Sequence, residues 1–145
     1  MHKLVAGTPS KVSELMARIR SKGNETTELK FVRMLRQRRI WGWRRHAKIA
    51  GTPDVVFPKI KLAVFLDGCF WHGCPRCYRP PKTNAQYWIP KIARNKARDA
   101  MVTAKLKEKG WRVLRFWECG LDEKTVTLRL RKMLKSKMPL VGHNQ

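Results

Sequence analysis

The spacing of apolar positions changes several times along the chain, and each change marks an element. Val12, Leu15, Met16 and Ile19 recur at three- and four-residue intervals. With Ser10 or Ser13 as cap they predict a short helix through Arg20. Gly23 and Asn24 interrupt it. Thr26 or Thr27 opens a second helix to about Arg39, with Leu29, Val32 and Leu35 inward. Trp41, Trp43 and Arg45 alternate, which predicts a strand ending near His46. Ala50-Gly51-Thr52-Pro53 is a turn, and residues 54–57 form the next strand. Residues 62–66 (Leu-Ala-Val-Phe-Leu) are nearly continuously apolar, as in a central strand. A long helix follows over 84–109, with Ile89, Ala93, Ala97, Ala100 and Ala104 at helical spacing, Pro90 near its start and Gly110 ending it. Residues 111–117 form a strand and 123–136 a basic helix. The order is α-α-β-β-β-α-β-α, a mixed sheet with helices packed against it. There is no internal repeat. The expected organisation is a leader over 1–9, one domain over 10–136 and a basic tail over 137–145.

Length agrees with one domain holding its own core, since the chain has 145 residues. Charge narrows the partners. Lys and Arg number 33 against 10 acids, a net +23. That excess strains a compact fold unless a polyanion relieves it, and nucleic acid is the natural candidate. The alternative is a basic protein that adheres to any acidic surface. No apolar run approaches the ~20 residues of a bilayer span, and the first residues lack the apolar centre of a secretory signal. A cytosolic location without membrane association is expected. Cysteines there stay reduced, so clustered ones are metal ligands sooner than disulfides.

Three of the four cysteines fall in Asp67-Gly68-Cys69-Phe70-Trp71-His72-Gly73-Cys74-Pro75-Arg76-Cys77. The fourth, Cys119, ends the last predicted strand. Cys69, Cys74, Cys77 and Cys119 make a tetrahedral thiolate set suited to Zn²⁺, with the knuckle spacing Cys74-x-x-Cys77. His72 could replace one of them, and four buried cysteines without metal would read simply as small hydrophobes. Asp54 and Asp67 sit at the ends of neighbouring strands, an arrangement able to hold Mg²⁺ beside a phosphate. Many nucleases follow a Pro-Asp strand with an acid-x-Lys strand. Here Asp67-Gly68-Cys69 lacks the lysine, and His72 could act as base instead. Taken singly, Asp54 is an ordinary turn acid, and His72 a zinc ligand or a satisfied loop histidine.

Taken together the motifs resemble a known family. Thr27-Glu28-Leu29-Lys30, Gly51-Thr52-Pro53-Asp54, Gly68-Cys69-Phe70-Trp71-His72, Tyr87-Trp88-Ile89-Pro90-Lys91-Ile92, Asn95 with Arg98-Asp99, and Gly110-Trp111-Arg112-Val113-Leu114 through Trp117-Glu118-Cys119 occur in this order. The set is similar to the very-short-patch-repair (Vsr) mismatch endonucleases over about Ser10 to Lys135. The resemblance implies a restriction-endonuclease-like fold of the PD-(D/E)XK type, a structural zinc, and a Mg²⁺-dependent nick in one DNA strand beside a T:G mismatch. It implies that Asp54 and the backbone of Leu66 bind Mg²⁺, that His72 is the base, and that Glu28, Asp67, Asp99 and Asn95 support the site. It places the zinc ligands on or beside Cys69, Cys74, Cys77 and Cys119. It implies DNA contacts from Phe70, Trp71 and Trp88, wedged at the mismatch, and from Lys91 and Arg94. Trp111, Trp117 and Phe65, in predicted strands, are expected in the core. Leu66 stands where some members carry Thr, and Asp67 where some carry His. The second places Asp67 as either a second metal ligand or an orienting acid. His2, His46 and His143 match no motif and are read as solvated or local. The implied partners are double-stranded DNA and, by analogy, mismatch-repair proteins or a companion cytosine methyltransferase, acting on a monomer at the nucleoid. Two other readings are a zinc-containing binding module without catalysis, and a restriction or defence nuclease without mismatch preference.

Overall fold

The computed structural model describes residues 27–136. The predicted helix through Arg20, the leader, the tail, His2 and His143 lie outside them. Helix α1 covers residues 27–37, followed by strands β1 (Arg44–Arg45), β2 (Val55–Phe57) and β3 (Leu62–Asp67). Helix α2 (Ala85–Glu108) crosses over to strand β4 (Arg112–Trp117), and helix α3 (Glu123–Lys135) closes the described chain. The sheet runs in the order β1-β2-β3-β4. Its first two pairings are antiparallel and the β3–β4 pairing is parallel. The mixed α/β arrangement expected from the sequence is present. No described helix is long and apolar enough to cross a membrane.

Strand alternation divides the sheet into two faces. Val55, Phe57, Leu62, Val64, Leu66, Leu114 and Phe116 face one side, where they pack with Phe31, Val32 and Leu35 of α1 and with Val126 and Leu130 of α3. Val56, Ala63 and Phe65 face the other side, with Leu106 of α2 against them and Val102, Trp111 and Val113 at the margin. Each fully buried Phe, Leu or Val contributes about 1.5–3 kcal/mol, so the first face carries most of the fold's stability.

Three expectations need correction. In α1 the inward residues are Glu28, Phe31, Val32, Met34 and Leu35, while Leu29 is 48% exposed. The predicted strand over 41–46 shrinks to two residues. Gly42 (φ 84°) and His46 (φ 49°) take left-handed conformations on either side of it, which no ladder tolerates, and Trp41 is left 65% exposed. In α2 the alanine stripe faces solvent. The side turned to the protein carries Trp88, Ile92, Asn95 and Leu106 instead. Alanine favours helix wherever it sits, so it is a weak guide to the buried face. Phe65 is buried as expected, while Trp111 and Trp117 are half-buried.

Candidate active site and thiolate cluster

The same alternation builds the site. Asp54 precedes β2 in phase with Val56, Asp67 ends β3 in phase with Phe65, and Arg115 lies opposite Phe65 in β4. All three point to the α2 side. Asp99 of α2 and His72 of the following loop complete a cavity of about 380 Å³ whose wall also includes Leu66 and Arg98. The Asp54 carboxyl and the His72 ring therefore share one cavity.

Asp54 Oδ2 accepts the Leu66 amide hydrogen at 2.7 Å. Burial pushes this carboxyl above its ordinary range. The Leu66 hydrogen bond pulls it back, and the nearby charges of Glu28 and Asp67 push it further up. A divalent cation beside such a carboxyl would offset that pressure by favouring its ionised form. The turn that delivers it is tight. Gly51 has φ +74°, and a Cβ there would stand 2.3 Å from Val102 Cγ1 of α2.

His72 Nδ1 lies 2.5 Å from Asp99 Oδ2 and 3.9 Å from Asp67 Oδ1. The pairing with Asp99 favours the tautomer protonated at Nδ1, in which Nε2 is the ring's acceptor. The loop is held by its own turns, His72 N–H to Gly68 O at 3.1 Å and Cys74 N–H to Cys69 O at 2.9 Å. Buried Asn95 donates to the Trp71 carbonyl at 3.0 Å, tying the loop to α2. Asp67 also lines the cavity, but its carboxylate is engaged by Arg115. Both its oxygens accept from Arg115 Nη1 at 2.9 Å.

Glu28 and His46 form a second acid–imidazole contact. Glu28 Oε1 accepts from Arg45 Nε at 2.7 Å and lies 2.7 Å from His46 Nε2. Burial pushes the Glu28 carboxyl up, but the hydrogen bonds from Arg45 and His46 prevail and hold it below its usual range. His46, expected to be solvated or local, is exposed yet engaged. Neither it nor Arg115 carries a motif. The legible signal for Arg115 is a cation in a strand at an inward-facing position.

The sulfurs of Cys69, Cys74, Cys77 and Cys119 lie within 4.8 Å of one another, and all four cysteines are free. Cys74 Sγ and Cys119 Sγ are 3.7 Å apart. Four thiolates around one ion at about 2.3 Å would stand about 3.8 Å from each other, so the set fits a tetrahedral soft metal. Burial pushes the Cys74 thiol up, but the amides of Arg76 and Cys77 and the neighbouring thiols outweigh it and bring it down to about 7. The cluster thus holds a readily ionised ligand. His72 stands outside it, paired with Asp99.

Beside the loop, Phe70, Trp71 and Trp88 pack edge to face at 5.2–5.6 Å between ring centres. Trp88 is buried, and Phe70 and Trp71 are half-buried. Lys91 Nζ lies over Trp71, Tyr87 and Trp88. Arg94 is exposed on the same helix.

Residues 6–79 match the family model described as DNA mismatch endonuclease Vsr. Over 131 residues the chain is 43% identical to the type II nicking enzyme V.XorIIP of Xanthomonas oryzae pv. oryzae, covering 88% of this chain and 94% of that protein. It is 36% identical over 137 residues to V.NmeDIP of Neisseria meningitidis serogroup C, another type II nicking enzyme, covering 92% of each. It is 42% identical over 77 residues to the DNA mismatch endonuclease Vsr of Escherichia coli K12, covering 52% of this chain and 49% of that one.

Proposed function

The chain belongs to the Vsr family of DNA endonucleases, and from that premise we propose that it nicks one strand of duplex DNA beside a T:G mismatch, in very short patch repair. The observation that carries the reading is the single cavity shared by Asp54, His72 and Asp99. A module that only bound DNA would gain nothing from the three acids of that cavity, Asp54, Asp67 and Asp99, where phosphate must approach. The fold in this proposal is the restriction-endonuclease-like one, with Asp54 in the role of its Pro-Asp acid.

The residues fit a hydrated divalent ion. Asp54, with the main-chain carbonyl of Leu66, would hold Mg²⁺, which when bound offsets charge developing on the phosphate and makes water a better nucleophile. The chain's own groups do the rest. His72 Nε2 takes the proton from the attacking water. Asp99 keeps the ring in the required tautomer and stabilises the imidazolium that forms. Asn95 fixes the loop that carries the ring. Glu28, clamped by Arg45 and His46, adds negative charge beside Asp54 and so favours the cation. Lys91, Arg94 and Arg98 are placed for phosphates. Phe70 and Trp71, backed by Trp88, would enter the stack where a mispaired step is cheapest to open. The thiolate cluster would hold Zn²⁺ as a structural ion.

A second reading keeps the nuclease and removes the mismatch preference, and the relatives named type II nicking enzymes favour weighing it. Nicking of matched T:G and T:A duplexes with Mg²⁺ separates the two. Faster cutting of T:G is expected, and equal rates select the second reading. Asp54→Ala should abolish nicking while binding persists; nicking at the wild-type rate would discard the site.

A further inference from the structure

Asp67 and Arg115 have no part in the chemistry above, yet both line the cavity. Asp67 is 4% exposed, and its Oδ1 is already 3.9 Å from His72 Nδ1. Left alone, it would be a second carboxylate competing with Asp99 for the same ring nitrogen. It would also be free to turn to a cation held by Asp54. Arg115 prevents both. Its Nη1 takes both Asp67 oxygens at 2.9 Å, and its Nη2 reaches the Asp99 carbonyl oxygen at 3.4 Å. Its Nε reaches Thr103 Oγ1 at 3.3 Å, and its guanidinium carbon lies 4.2 Å above the Phe65 ring. One planar side chain from β4 thus joins the end of β3 to two turns of α2. A buried ion pair of this kind is seldom the most stable filling for its space, since apolar residues of equal volume often do as well or better. Its place between two acids and the imidazole points to positioning.

We propose that Arg115 is a positioning residue that occupies Asp67, keeps it out of metal ligation, and reserves His72 Nδ1 for Asp99. The inference rests on the reading of Asp54 and His72 given above.

The test compares full-length, zinc-replete wild type with Arg115→Met, Arg115→Lys and the double variant Arg115→Met/Asp67→Asn. The first readout is calorimetric titration with Mn²⁺ in the absence of DNA. Arg115→Met should bind Mn²⁺ more tightly than wild type because Asp67 is released, and the double variant should lose that gain. The second readout is nicking. Arg115→Met should lower kcat about a hundredfold, the scale of a displaced catalytic group, with KM for DNA little changed. Arg115→Lys, which retains the charge but not the fork, should fall between, and it serves as the test in both readouts if the Met variant does not fold. Mn²⁺ affinity unchanged in Arg115→Met, or a gain that survives in the double variant, would overturn the proposal. So would wild-type kcat in Arg115→Met. If wild-type protein nicks no duplex at all, the functional reading fails, while the Mn²⁺ titrations still decide the role of Arg115.

Discussion

Asp54 is where stability and chemistry pull in opposite directions. Its carboxyl is pushed above its ordinary value of 3.8 by burial, with Glu28 and Asp67 adding to the effect. A folded-state value above the unfolded one means that the native state holds the proton more tightly. The associated stability is present below the unfolded value and is lost as pH rises through the folded one. Ionising Asp54 in the metal-free protein therefore costs more in the folded chain than in the unfolded one. Asp54→Asn keeps an oxygen for the Leu66 amide and removes the charge. It should raise the Tm of the metal-free protein at pH 7, with the gain vanishing in acid. It should also lower nicking about a thousandfold, the scale of several kcal/mol lost from a metal's contribution. Thermal melts at pH 4 and pH 7, beside a nicking assay, check both. A lower Tm at pH 7 would show that the carboxylate is better satisfied than its surroundings imply. That Asp54, His72 and Asp99 line one cavity was legible only through the family resemblance, since each residue taken singly has an ordinary structural reading. Arg115 and His46 were not, because in so basic a chain one more cation carries no signal until its partner is seen.

Elements were legible where one period dominates. The β3 run and the start of β4 read correctly because buried strands need apolar side chains, and the parity that puts Asp54, Asp67 and Arg115 on one face follows from the strand repeat of two. Helix α2 was placed within a residue at each end, but its buried face was misjudged. Asn95 and Asp99 occupy inward positions for the site's sake and break the apolar stripe, while outward alanines imitate one. Strand β1 was overextended because Trp41 and Trp43 alternate, although left-handed residues on either side of Arg44–Arg45 end the ladder. The turn before β2 gives the sharpest test at this scale. Gly51→Ala should cost about 3 kcal/mol, combining the left-handed penalty with crowding against Val102. Adding Val102→Ala should recover the crowding part alone. Denaturant melts of the single and double variants check this, and a fully additive pair would refute the contact.

The molecule as a whole is a polycation, and its net +23 should be visible in solution. Affinity for a duplex should fall about a thousandfold between about 50 and about 200 mM salt if six or more phosphates are engaged. Fluorescence anisotropy across that range measures the slope, and a shallow one would assign binding to stacking or base contacts. The thiolate cluster joins distant parts of the chain, since Cys119 at the end of β4 meets Cys69, Cys74 and Cys77 of the β3–α2 loop. Cys74→Ser should therefore lower Tm and nicking together, with DNA affinity at low salt less affected; unaltered Tm would mean that the cluster holds no structural ion. Helix α2 imposes one more condition. Trp88 and Asp99 are 11 residues apart on a single helix, about three turns and about 16 Å of rise, so they come back to the same side of it. On the proposed reading, the ring that backs Phe70 and Trp71 and the acid paired with His72 are thus mounted on one ruler. The offset between an opened base step and the bond broken would then be a fixed length, and lengthening α2 by one residue between them would rotate one about a quarter-turn from the other.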